Sequence, residues 1–121
     1  MGRMEVQAAV RAALAEALPG TEVRASVPDP RPAELVVVRR EGGAQRDPLV
    51  DSPGVGVECW APTEAGAAAL AMRASAAILS LPFSAGFADV REEACRSDYD
   101  ALRRSPRWYM SYTMKTFEPP E

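Results

Sequence analysis

Histidine is absent from the 121-residue chain. With it go the Ser–His and Cys–His relays, the imidazole zinc sites and any general base that titrates naturally near neutrality. Cysteine is scarce: Cys59 and Cys95 are too few for a disulfide scaffold and lack metal-site spacing. Each falls in a strand-like run, so both are expected as small thiols packed in the core. No apolar run approaches the roughly 18–20 residues of a membrane span, and residues 1–20 lack the apolar block of a signal peptide, so a soluble intracellular protein is expected. An excess of positive charge is missing too. Fourteen basic residues stand against seventeen acidic ones, a net charge of −3, without the field that drives general nucleic-acid binding. These absences put enzymatic and DNA-binding readings behind from the start.

What is present looks globular. Hydrophobic residues make up 47% and charged residues 26% of the chain, close to the average for folded domains, and the length suits one domain over residues 1–121. From Met4 to Leu18 the apolar residues Val6, Val10, Leu14, Ala17 and Leu18 recur at helical spacing, and Pro19-Gly20 supplies a stop. A short strand is expected within 21–27, followed by a stiff connector bearing Pro28, Pro30 and Pro32. The run Leu35-Val36-Val37-Val38 is more apolar than a half-wet strand requires, so both faces of this strand should be covered. Gly42-Gly43 is expected to be a hairpin turn whose partner strand runs from Leu49 to Trp60, with Val55, Val57 and Cys59 on one face. Gly54 and Gly56 on the other face mark a bulge or a close approach by another backbone.

A second helix should open at Pro62-Thr63-Glu64, with Thr63 as N-cap, and run to about Ser80 before Pro82. A strand over 87–96 follows, with Ala88, Val90 and Ala94 inward, although Glu92 interrupts the pattern. The last strand is the clearest: Trp108, Met110, Tyr112 and Met114 alternate with polar neighbours, and the tail FEPPE cannot extend a ladder. The expected fold is therefore α+β, a mainly antiparallel sheet of four to five strands with two helices on one face and a long β-hairpin arm.

Few residues suggest chemistry. Asp98 and Asp100, near Glu92 and Glu93, could offer oxygen ligands to a cation, but the glycine and distal glutamate of a calcium loop are missing, which favours a solvated loop. Gly42-Gly43 with Arg46 lacks the strand-to-helix context of a phosphate loop. Arginines crowd two places: Arg39, Arg40 and Arg46 on the hairpin arm, and Arg103, Arg104 and Arg107 before the last strand. Surface solvation competes there with recognition of acidic partners. Trp60 and Trp108 read first as core residues and second as interface anchors. No catalytic, cofactor or metal site is expected.

The stretch from Val37 to Ala61, followed by an Ala-rich helix that opens at Thr63-Glu64, resembles the small tail terminator proteins of long-tailed bacteriophages. The matching features are Arg40 before Gly42-Gly43, a basic return arm at Arg46, the pair Val50-Asp51, and the strand end Val57, Glu58, Trp60, Ala61. The likeness is strongest over about 36–82, looser from 83 to 117, where Arg107-Trp108-Tyr109 resembles the family's final strand, and weak before 30. Pro48 departs from the pattern. The resemblance implies a virion protein without enzymatic activity. It implies a ring, a homohexamer, on the head-proximal end of the tail tube that stops tube polymerisation and offers a surface for head–tail joining. Its partners would be copies of itself, the tail tube protein and a head–tail connector, with DNA only passing through the lumen and no membrane. On this reading Arg39, Arg40, Gly42, Gly43, Arg46, Asp51 and Trp60 make protein contacts, and oligomerisation buries the second face of strand 35–38. The alternatives are another neck-ring component, a ligand-binding α+β domain using Glu93, Asp98 and Asp100, and nucleic-acid binding through the arginines.

Overall fold

The computed structural model describes residues 6–45, 50–81 and 86–117. Helix α1 (Val6–Ala17) leads into the short strand β1 (Glu22–Arg24). The long strands β2 (Leu35–Gln45) and β3 (Val50–Trp60), helix α2 (Glu64–Leu79), and strands β4 (Phe87–Ser97) and β5 (Arg107–Phe117) follow. One five-stranded sheet results, in the order β1-β2-β3-β5-β4. Every pairing is antiparallel except β1 with β2. The parallel pair arises because residues 25–34 return across the sheet before β2 begins alongside β1.

Local chemistry sets the helix ends. Leu18 N donates to Leu14 O, and Gly20 takes a φ of 88°, the left-handed exit that only glycine adopts without strain. At α2, Thr63 Oγ1 accepts from Gly66 N at 3.0 Å, the expected N-cap, and Glu64 lies in the first turn near the positive end of the helix dipole. Pro82 lies outside the described residues.

Both helices pack on one face of the sheet. Val6, Val10 and Leu14 of α1 and Leu70, Ala74 and Ile78 of α2 meet Val36 and Val38 of β2, Val55, Val57 and Cys59 of β3, and Met110, Tyr112 and Met114 of β5. The small alanines of α2 let the helix sit low on the strands. Burying each Val or Leu side chain contributes about 1.5–3 kcal/mol, and this cluster is the main core.

The other face of the sheet is closed only at one end. Leu35, Val37 and Trp60 form a second buried cluster with Val27 of the proline-bearing connector against it. Strand 35–38 is thus covered on both faces, as its apolar run predicts, but its second face is buried by the chain itself, which corrects the expectation of burial by oligomerisation. Beyond this cluster, the described residues Arg39, Glu41, Glu58, Tyr109 and Ser111 continue the same face.

Three further expectations are corrected. Gly42-Gly43 is not the hairpin turn; both residues lie within β2, which continues to Gln45, and the ladder shifts register between Arg40 and Gly43. Residues 46–49, and with them Arg46 and the expected arm tip, lie outside the described residues. On β4, Phe87 and Val90 reach the main core, but a register break between Glu92 and Ala94 places Ala94 opposite Ser111 on the polar face, and a second break falls at Ala88. Cys59 is buried, as expected, whereas Cys95 is exposed on β4, where its Sγ accepts from Trp108 Nε1 at 3.2 Å. The sheet's two edges are β1, three residues long, and β4, which carries both breaks.

The two thiols should behave differently. Burial, with smaller contributions from neighbouring charges, pushes Cys59 up to about 12, so it stays protonated and shielded, while Cys95 meets solvent. Iodoacetamide at pH 8 is expected to modify one thiol of the folded chain and both in denaturant, by mass spectrometry. Rapid native labelling at Cys59 would contradict the packing.

Candidate interaction site

Where β2 begins, β3 ends and β5 begins, three guanidiniums gather around one indole. The carbon centres of Arg31, Arg107 and Arg103 lie 4.8, 5.1 and 5.6 Å from the centroid of the Trp60 ring. Trp60 is fully buried, and its Nε1 has no hydrogen-bond partner in the structure. The indole is thus an internal platform for cations, and its role is the core one of the two expected; it presents no ring for a partner to grip.

Carboxylates hold these arginines in place. Arg107 donates from Nε to Asp98 O at 3.0 Å and from Nη2 to Asp98 Oδ2 at 2.9 Å. Its Nη1 lies 3.7 Å from both Glu58 Oε2 and Asp100 Oδ2. Asp100 organises the loop before β5: Oδ1 accepts from Leu102 N and Arg103 N, and Oδ2 from Arg103 Nη1 at 3.0 Å. Burial alone would raise the Asp100 pKa, but the Arg103 hydrogen bonds and the charges of Arg107 and Arg103 outweigh it and hold the carboxyl below its ordinary value. Asp100 and Ser105 close the loop through reciprocal backbone bonds of 2.9 and 3.0 Å. Inside it Arg104 adopts a φ of 51°, a left-handed conformation costing a non-glycine residue roughly 1–2 kcal/mol. Asp98 and Asp100, candidates for a cation or a ligand, are therefore committed to arginine. No group of three or more His, Cys, Asp or Glu poised to hold a metal occurs among the described residues.

Along the polar face, a second set of contacts crosses three strands. Arg39 on β2 lies 3.5 Å from Glu58 Oε1 on β3. The Glu41 carboxylate extends over Gly56, where a Cβ would collide with it, and accepts from the Tyr109 hydroxyl on β5 at 2.6 Å. Gly56 therefore marks a close approach by a side chain, not by another backbone. Arg96 covers the Tyr109 ring at 4.8 Å. Burial and the Glu41 contact raise the Tyr109 phenol pKa.

The predicted contact residues do not form one patch. Arg39 and Arg40 are consecutive strand residues and project to opposite faces of the sheet. Gly42 and Gly43 lie in β2 and Asp51 in β3, where it pairs with Gln45 and Thr116. Arg46 lies outside the described residues. Arg103 and Arg107 do converge, and they are joined by Arg31 from the stiff proline-bearing connector. Its contact with Ser105 Oγ spans 74 residues, and no local pattern signals it.

The outer face of α2 carries a further feature. Ala65, Ala69, Met72, Ala76 and Leu79 are exposed and recur at steps of four and three, the spacing of a helix-packing seam. Met72 is 52% and Leu79 50% accessible, high for large apolar side chains.

No protein-family model matches the chain, and no curated protein matches it significantly.

Proposed function

We propose that the chain is a structural subunit of a long-tailed bacteriophage, forming a ring of identical copies on the head-proximal end of the tail tube. There it stops polymerisation and offers the surface to which the head joins. The observation that carries this reading is the unit β2–β3–α2. The residues that resemble tail terminators, Arg40, Gly42, Gly43, Val50, Asp51, Val57, Glu58, Trp60, Ala61, Thr63 and Glu64, fall on the antiparallel pair β2 and β3 and on the segment that leads into and opens α2. The exposed apolar row on α2 also supports assembly, because a subunit buried among its copies covers such a row. A ring built by head-to-tail contact has two unlike faces, so one face can match a tube subunit while the other refuses the next. Six weak contacts acting together cap tightly without a large interface at any single subunit.

The test is genetic. Particles lacking the chain are expected to carry tails of uncontrolled length that fail to join filled capsids, and the Arg40→Glu, Arg46→Glu double variant should reproduce the defect at least in part. Tails of normal length joined to capsids in the absence of the chain would overturn the reading. Binding of the purified chain to portal-side protein, and not to the tube subunit, would reassign it to another neck ring.

A further inference from the structure

Beside the Trp60 platform lies a cleft of about 290 Å³ whose lining includes Arg31, Arg104 and Ser105 against Pro32, Pro62 and Pro106, with no acidic side chain among its lining residues. Among the described residues neither Arg31 nor Arg104 has a carboxylate partner: Arg31 contacts only the Ser105 hydroxyl and the Trp60 ring, while Glu58, Asp98 and Asp100 go to Arg39, Arg103 and Arg107. Asp29 lines an adjoining cleft with Arg31 and Arg103. Two guanidiniums and a hydroxyl against an apolar proline wall suit a carboxylate carried on a proline-containing segment.

This chain contains such a segment. Residues 118–121 read Glu-Pro-Pro-Glu, the only stretch outside the described residues with net negative charge. Its two carboxylates, Glu118 and Glu121, flank Pro119-Pro120. The segment cannot reach the cleft of its own chain. The cleft lies at the Arg107 end of β5, the segment follows Phe117 at the other end, and eleven extended residues span roughly 35 Å, whereas four residues reach at most about 14 Å.

We propose that residues 118–121 of one copy dock in the Arg31–Arg104 cleft of a second copy, Glu118 and Glu121 pairing with the two guanidiniums. Donor and acceptor sit at opposite ends of the sheet, so copies can be linked one to the next through this contact, the arrangement a ring requires. The inference rests on the assembly reading above for its role, but its chemistry is tested separately. The full chain is compared by analytical ultracentrifugation with Arg104→Glu, with Glu118→Arg/Glu121→Arg, and with all three changes together. Each charge reversal should weaken self-association at least tenfold, and the combined variant should associate more tightly than Glu118→Arg/Glu121→Arg alone without reaching wild type, because the reversed charge at position 104 regains one pairing while Arg31 still repels the other arginine. Arg104 is exposed, and matching circular dichroism melts will show that the fold is intact.

In parallel, a peptide of residues 116–121 and inorganic phosphate are titrated into the Glu118→Arg/Glu121→Arg chain. Peptide binding that is lost in the same chain also carrying Arg104→Glu supports the proposal. Association unaffected by the reversals, absence of rescue, or binding of phosphate without peptide would each overturn it. Restored association in a protein whose removal leaves tail length normal would defeat the tail-ring function while leaving this contact standing.

Discussion

Trp60→Ala is expected to lower the unfolding free energy by about 3–5 kcal/mol, read from urea denaturation followed by circular dichroism. The indole is the largest fully buried side chain, and its removal leaves a cavity beneath Leu35, Val37 and Val27. It also takes away the face over which Arg31, Arg103 and Arg107 rest. Trp60→Phe separates the two contributions. It keeps an aromatic face for the guanidiniums and removes the unpartnered Nε1–H, so its cost should stay below about 1.5 kcal/mol. Equal losses for Ala and Phe would mean that the platform plays no part in stability.

Arg107→Ala should be the next most costly change, at about 2–3 kcal/mol near neutral pH. One guanidinium there joins Asp98 at 2.9 Å and lies 3.7 Å from both Glu58 and Asp100; without it three carboxylates face one another with less compensation. Arg107→Lys should recover less than half of the loss, because a single ammonium cannot span the three acids that a planar fork reaches. The penalty should depend on pH. Asp100 titrates below its unfolded value in the native state, so its contribution is complete above the ordinary carboxylate pKa of about 3.9 and disappears as pH falls through the lower folded value. The gap between wild type and Arg107→Ala should therefore be full at pH 7 and narrow below about pH 4. A gap independent of pH would show that lost packing, not charge, sets the cost.

Much of the architecture is legible in the sequence wherever a residue's environment follows from its near neighbours. The alternation from Trp108 to Met114 declares β5, and Pro62-Thr63-Glu64 declares the start of α2. The triad Val55, Val57 and Cys59 declares which face of β3 meets the helices. Readings fail where a distant partner decides. Gly42-Gly43 has the composition of a turn, yet the ladder continues through Gln45 opposite Asp51, so pairing with the partner strand keeps both glycines within β2. Cys95 has the profile of a core thiol, but it lies on an edge strand past a register break. The arginine–tryptophan cluster was half visible: Arg103 and Arg107 stand close together in the chain, whereas Arg31 arrives through a connector whose prolines indicate stiffness and nothing about destination. Arg39 and Arg40 show the reverse error, since adjacency in sequence suggests a cluster that strand geometry separates onto opposite faces.

The two margins of the sheet constrain how molecules of this protein can meet. β1 offers only three residues as a template, and β4 is broken twice and bears Asp89, Arg91, Glu92, Glu93 and Arg96. Neither border can readily zip onto the backbone of another molecule. Runaway growth by continuous strand stacking is thereby discouraged, and what is left for recognition is side-chain chemistry, which can be limited to a fixed number of neighbours.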